Sequence, residues 1–270
     1  MKQKLGKFIG IFLAAGVVIL CVVLFCLFFL QKKPAVAPPG YLTGLVASDR
    51  TVLVLGSDYQ LVCMPDVEVS DGLRLIESHA PSGVSHVIVP SGSSHVVHNL
   101  TLLLDSGCSV GCIYAPEGAK DSEEFAAFTQ QDPQIPVTYL KARSRYAAIG
   151  DLLLTKKDLF SEDLTYTLTH GEETYLFAED VVKGGKYSLI VMPLSSTVES
   201  TCRGEFAFVV NNLDSPDFTA HAMDALYNNS LATNMFINES GEFFSMGSDP
   251  VDEGMSSFFA LSYEVTRKED

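Results

Sequence analysis

In the stretch HVIVPSGSSHVVHNLTLLLDSGCSVGCIYAP, residues 86–116, an apolar run leads into a turn of small polar residues and then a helical pattern. Strand-to-helix turns of this kind carry the chemistry of many α/β enzymes. This one holds Ser91, Ser93, His95 and His98, with no acid until Asp105. His95 and His98 are three apart near a helix start and so share a face. A zinc centre needs more ligands than two imidazoles, and no third lies within sequence reach. Asp180 follows a predicted hairpin strand, a position that suits a turn or cap residue. Asp66, Glu68 and Asp71 form a loose acidic group before a predicted helix. Solvated capping is the expectation there, because a calcium loop needs tighter alternation and a closing Glu. Ser195 and Ser196 lack the G-x-S-x-G setting of a nucleophile elbow. Neither GSDYQL (56–61) nor VVKGGKYS (181–188) matches a phosphate loop. Cys108 and Cys112 are four apart, but no second Cys or His pair repeats that spacing, so they do not read as a metal site. Cys63 and Cys202 complete the four cysteines beyond the first 33 residues. Buried thiols are the first expectation and a disulfide the second, with the pairing left open.

The elements that must position these residues follow from periodicity. Residues 8–30 carry no charge and no proline, long enough to cross a bilayer as a helix. A secretory signal has a shorter apolar region, about 7 to 15 residues, so an uncleaved anchor is expected despite the AVA at 35–37. Cys21 and Cys26 would then be thiols within the membrane. Residues 1–7 form a tail and 31–40, with Pro34, Pro38 and Pro39, an extended spacer. The rest, 41–270, reads as one domain. TVLVLG and YQLVCM are strands meeting at a GSD turn. Then VSDGLRLIESHA (helix), SHVIVP (strand), VVHNLTLLLDSG (helix, with Val97, Leu100, Leu103 and Leu104 on one face), SVGCIYAP (strand) and DSEEFAAFTQQ (helix) alternate. That order suits a largely parallel sheet. The second half is richer in strands: DLLLTK, LTYTLTH, ETYLFAED, YSLIVMP, EFAFVVNN, a hairpin in NMFINESGEFFSMG, and SSFFALSYEVT. FTAHAMDALYNN is its helix. Two facing sheets with helices outside are predicted.

Read in order, these segments resemble the metallo-β-lactamase fold, and within it the C-terminal domain of ComEC-type competence (DNA-uptake) proteins. The likeness spans about residues 50–250. It rests on SHVIVPSGSSHVVHNLTLLLDSGCSVGCIYAP in the first half. In the second it rests on LTYTLTHGEETYLFAED, YSLIVMPLSS, FAFVVNNLDSPDFTAHAMDAL and ATNMFINESGEFFSMGSD. It implies an αββα sandwich whose imidazoles and carboxylates activate a metal-bound water. The HxHxDH loop of that resemblance would put its first two histidines on Ser91 and Ser93, its aspartate on His95 and its third histidine on Val96. A one-residue shift leaves His95 and His98 as the only candidates. The GD carboxylate would fall on Asp180, and the HHGS histidines on Pro193 and Leu194. His221 comes too late for the YGHP histidine. The resemblance therefore implies a degenerate metal site at Ser91, Ser93, His95, Val96, His98, Asp180, Pro193 and Leu194, with no catalytic residue and no cofactor.

Charge bounds the partners. The chain carries −15, and the part beyond residue 33 carries −20, from 13 Lys and Arg against 33 Asp and Glu. Such a surface repels phosphate backbones, so nucleic acid is not an expected partner. Lys2, Lys4 and Lys7 precede the apolar run and Lys32 and Lys33 follow it, which favours a cytoplasmic N-terminus and a body outside the cytoplasm. The expectation is a membrane-anchored, non-catalytic binding or scaffolding protein with an unidentified protein or small-molecule partner. The alternatives are a zinc-dependent nuclease or phosphodiesterase with an atypical site at His95, His98 and Asp180, and a small-molecule sensor using the emptied cleft.

Overall fold

The computed structural model describes residues 19–20, 33–141, 144–158, 164–213, 216–228, 231–239, 242–245 and 259–261. All of the predicted apolar span except Ile19 and Leu20 lies outside these, as do Cys21 and Cys26. Among the described residues no helix is long and apolar enough to cross a membrane.

Strands β1 (Leu42–Val46), β2 (Val52–Gly56) and β3 (Gln60–Cys63) form an antiparallel meander. Helix α1 (Asp71–His79) leads to β4 (His86–Ile88), α2 (Ser94–Asp105) to β5 (Ile113–Pro116), and α3 (Glu123–Gln131) to β6 (Val137–Leu140). The strands β3 to β6 are parallel, as the alternation of helix and strand predicts. The second half supplies β7 (Tyr146–Ile149), β8 (Leu152–Lys156), β9 (Tyr166–His170), β10 (Glu173–Phe177), β11 (Val181–Val182), β12 (Gly185–Pro193), β13 (Thr197–Val198) and β14 (Cys202–Val210). Helix α4 (Pro216–Asn228), β15 (Ala232–Glu239), β16 (Glu242–Ser245) and β17 (Phe259–Leu261) follow.

One sheet has the order β17-β1-β2-β3-β4-β5-β6 and the other β16-β15-β14-β12-β10-β9-β8-β7; β11 and β13 form a small ribbon. The sheets face each other. Their shared core joins Val54, Leu61 and Ile88 of one to Leu168, Tyr175, Val191 and Phe208 of the other. The outer face of the first sheet packs on α1, α2 and α3 through Leu75, Ile76, Leu100, Leu103 and Phe125. The outer face of the second packs on α4 through Leu226. The architecture is the predicted αββα sandwich. β1, β6, β7 and the two-residue β11 and β13 were not predicted. The buried side of α2 is Val96, Asn99, Leu100 and Leu103, while Val97 and Leu104 are half-buried at its margin.

The β1–β2 turn does two jobs at once. Asp49 Oδ2 accepts the N–H groups of Ser70 (3.0 Å) and Gly72 (2.8 Å), so this turn caps α1 from a distance. Ser70 itself makes no side-chain cap. Asp71 is held by the Ser48 hydroxyl. Replacing Asp49 with Ala leaves those helical N–H groups without their acceptor. A loss of about 1–2 kcal/mol is expected in urea unfolding, with Asp49→Asn retaining part of it.

Candidate functional site

Parallel pairing aligns the strand ends. β3 and β4 run the same way, as do β10, β12 and β14. The segment after β3 and the segment after β10 line one small cleft, together with Arg50, Cys63, Leu164, Tyr166 and Val191. The C-terminal ends of the inner strands of both sheets therefore open at the same edge of the sandwich, as the sequence predicts for HVIVP and YSLIVMP. The cleft measures about 20 Å³, about the room of one water molecule.

Two residues that sequence reasoning did not select, Arg50 and Glu179, dominate this mouth together with Asp66. Arg50, at the end of the first sheet, pairs with Glu179, at the end of the second, at 2.9 Å. The side chains are 4% and 20% exposed. Burial pushes the Glu179 carboxyl above the ordinary carboxylate range, and the Arg50 guanidinium opposes that shift. The neighbouring Asp66 acts on Glu179 twice: its charge raises the pKa, while its backbone N–H, hydrogen-bonded to the carboxylate, lowers it. Asp66 in turn accepts the hydroxyls of Ser91 (2.6 Å) and Ser93. Ser91 Oγ also takes the Ser93 N–H (3.0 Å), and Ser93 Oγ caps α2 by accepting the Val96 N–H. The predicted solvated role for Asp66 is thus corrected: it is half-buried and holds the serine loop in place. Gly92 lets that loop close down, since a Cβ there would lie 2.9 Å from the Ala119 backbone.

Strand parity explains why the carboxylate is Glu179. Tyr175 and Phe177 face the inter-sheet core, and Glu179 continues their side two residues on. Leu176 and Ala178 face the outer core. Asp180 falls on the other parity; its side chain is exposed and its carbonyl accepts the Thr197 N–H. That alternation was readable in YLFAED. Nothing in the sequence marked Arg50, one charged residue in a hairpin turn. Its φ of +72° is the backbone feature that stands out, because among the described residues it is the only positive-φ position that is not glycine. Such a conformation costs a non-glycine residue about 1–2 kcal/mol and persists where surroundings over-determine it. Asp49 and Glu179 supply that determination on either side of the turn.

The other predicted site positions disperse. His95 and His98 are exposed on α2. Val96 is fully buried beneath α2, and Asn99, not His98, turns inward to bond Val67 and Val69. Pro193 ends β12 and is buried; Leu194 is buried on the outer, α4 side of its sheet. The turn after them does reach the mouth, where Ser196 Oγ donates to the Glu179 carbonyl (2.9 Å). His221 is exposed on α4. The described cysteines, Cys63, Cys108, Cys112 and Cys202, are unpaired.

No family model and no curated protein matches the chain. Solved structures do. The metallo-β-lactamase fold protein YhfI from Bacillus subtilis is similar over 80% of this chain and 95% of its own, with a TM-score of 0.51 at 13% identity. The chain has the metallo-β-lactamase fold. The short form of human tRNase Z is similar over 81% of this chain and 98% of its own, with a TM-score of 0.43 at 10% identity. A diphosphatase of the PhnP family shares 70% of this chain and 72% of its own, also with a TM-score of 0.43 at 10% identity.

The metallo-β-lactamase fold implies a metal, and the donors at this mouth do not suit one. Among the described residues no group of three or more His, Cys, Asp or Glu is placed to hold an ion. The oxygens of Asp66 are engaged by two hydroxyls, and those of Glu179 face a guanidinium and an N–H group. Burial pushes the Cys63 thiol up to about 12, against the opposing hydrogen bond of Tyr166, so near neutral pH it stands protonated.

Proposed function

We propose that this chain is a membrane-anchored, extracytoplasmic protein of the metallo-β-lactamase fold. In this reading it has lost the metal ligands and serves as a non-catalytic binding or scaffolding domain. The order and spacing of its segments support a resemblance to the C-terminal domain of ComEC-type competence proteins. The observation that carries the non-catalytic reading is the mouth itself, where Glu179 pairs with Arg50 and Asp66 accepts the hydroxyls of Ser91 and Ser93. A hydrolytic centre needs such oxygens free to hold a cation and its hydroxide. The anchor rests on residues 8–30, and the outward orientation on the lysine distribution and the −15 charge of the chain.

Metal analysis of the full chain after dialysis tests this reading. Zinc and manganese are expected well below one per chain, with no phosphodiester hydrolysis above background. Stoichiometric metal that disappears on changing His95, Asp180 or Glu179 would overturn it in favour of a metal-dependent hydrolase. Protease added to intact cells should remove the body; full protection until lysis would reverse the orientation.

A further inference from the structure

We propose that the Arg50 guanidinium is a built-in replacement for a bound cation at the mouth of the sandwich. The inference rests on the reading above that this mouth holds no metal. Three independent observations support it. First, the acids arrive from separate places: Glu179 beyond β10 on one sheet lines the cleft, and Asp66 beyond β3 on the other directly follows Pro65, which lines the same cleft. Two acids brought together in a partly dry cleft need a positive charge between the layers, and Arg50 contacts Glu179 at 2.9 Å. Second, the charge arrives by a route that the backbone resists. Arg50 sits at φ +72°, where glycine is the relaxed residue, in a tight turn closed by Arg50 N–H to Ala47 carbonyl (3.0 Å) and Ala47 N–H to Thr51 carbonyl (2.8 Å). An arginine held in that conformation marks a side chain in use. Third, the guanidinium is nearly sealed from water, at 4% exposure. A rim arginine recruited by chance would stay hydrated.

A guanidinium serves here as an ion would, with one difference. It is fixed and cannot exchange, so Glu179 keeps its counter-charge at any metal concentration. Its planar fork also satisfies carboxylate geometry directly. Removing it should leave a cation vacancy and not merely a hole.

The test uses the full chain with Arg50→Gly, which relieves the backbone while deleting the charge, beside Arg50→Lys and the double variant Arg50→Gly/Glu179→Gln. The probes are methylguanidinium, Mn²⁺ and Zn²⁺, and the readouts are the melting midpoint and metal retained in equilibrium dialysis. The wild-type midpoint should ignore all three cations. Arg50→Gly should melt about 6–20 °C lower and recover part of that loss with at least one cation. Arg50→Lys should fall between them. The double variant, having no unpaired acid at position 179, should melt above Arg50→Gly and lose the cation response. A folded Arg50→Gly chain blind to every cation, or a double variant no more stable than Arg50→Gly, overturns the inference. If Arg50→Gly does not fold, the double variant decides: folding supports the inference and failure overturns it. Stoichiometric metal in the wild-type chain would sink the functional reading as well. A metal-free wild type with a cation-blind Arg50→Gly would sink only this inference.

Discussion

Replacing Asp151 with Ala is expected to cost about 3–5 kcal/mol, although the residue lies at the edge opposite the mouth. Its buried carboxylate accepts three donors: Tyr59 Oη at 2.6 Å, the Gly40 N–H at 2.7 Å and His170 Nε2 at 3.0 Å. Alanine would leave them without an acceptor, and buried donors cost about 1–3 kcal/mol each when unmet. Burial pushes the Asp151 pKa up, but these three bonds outweigh it and hold the group below its ordinary 3.8. The stabilisation is therefore complete above about pH 3.8 and drains away as pH falls through the lower, folded value. Urea unfolding of the wild type and Asp151→Ala should show a wide gap at neutral pH that narrows on strong acidification. A gap that widens towards acid would contradict the assigned geometry.

The same network reaches the proline-rich segment, read from the sequence as an extended spacer. Gly40 is tied to Asp151, Ala37 N–H reaches the Gly150 carbonyl, and Pro39 lies over Gly171. The last residues of the proline-rich segment are thus docked on the body, far from Arg50 and Glu179. Asp151→Ala should accordingly make this segment more open to proteolysis even where the body remains folded.

Phe125→Ala is expected to cost about 3–5 kcal/mol through lost burial and the cavity left behind. Phe125 is 0% exposed and packs α3 against the first sheet beside Phe128, ring centroids 6.1 Å apart. The effect should reach the mouth. Ser122 caps α3 through the Phe125 N–H, and the Ser122 and Ala119 atoms are what Gly92 packs against. A loosened α3 would unsettle the loop that offers Ser91 and Ser93 to Asp66. Chemical denaturation provides the measurement, with Phe218→Ala as control. Phe218 is 70% exposed on α4, and its loss should stay within about 0.5 kcal/mol.

Local pattern alone was enough for the layers of this protein. The 3.6-residue periodicity of α1 to α4 and the apolar runs of β4, β5, β12 and β14 determine which faces must be buried, and alternation of helix and strand determines parallel pairing. The strand–turn–helix at 86–105 was legible for the same reason, down to Gly107 at the end of α2 with φ +85°. What only the tertiary structure decided is who meets whom at the mouth. Asp66 lies 25 residues from Ser91, and Arg50 lies 129 from Glu179. No periodicity links residues at such separations; the sheet twist, the register and the facing of two sheets bring them together. Asp180 was favoured over Glu179 because a motif was matched by position, whereas the pleat assigns side chains by parity. The arginine was invisible because a charged residue in a hairpin turn is ordinary in sequence. Its inward course exists only once a carboxylate waits in the opposite sheet.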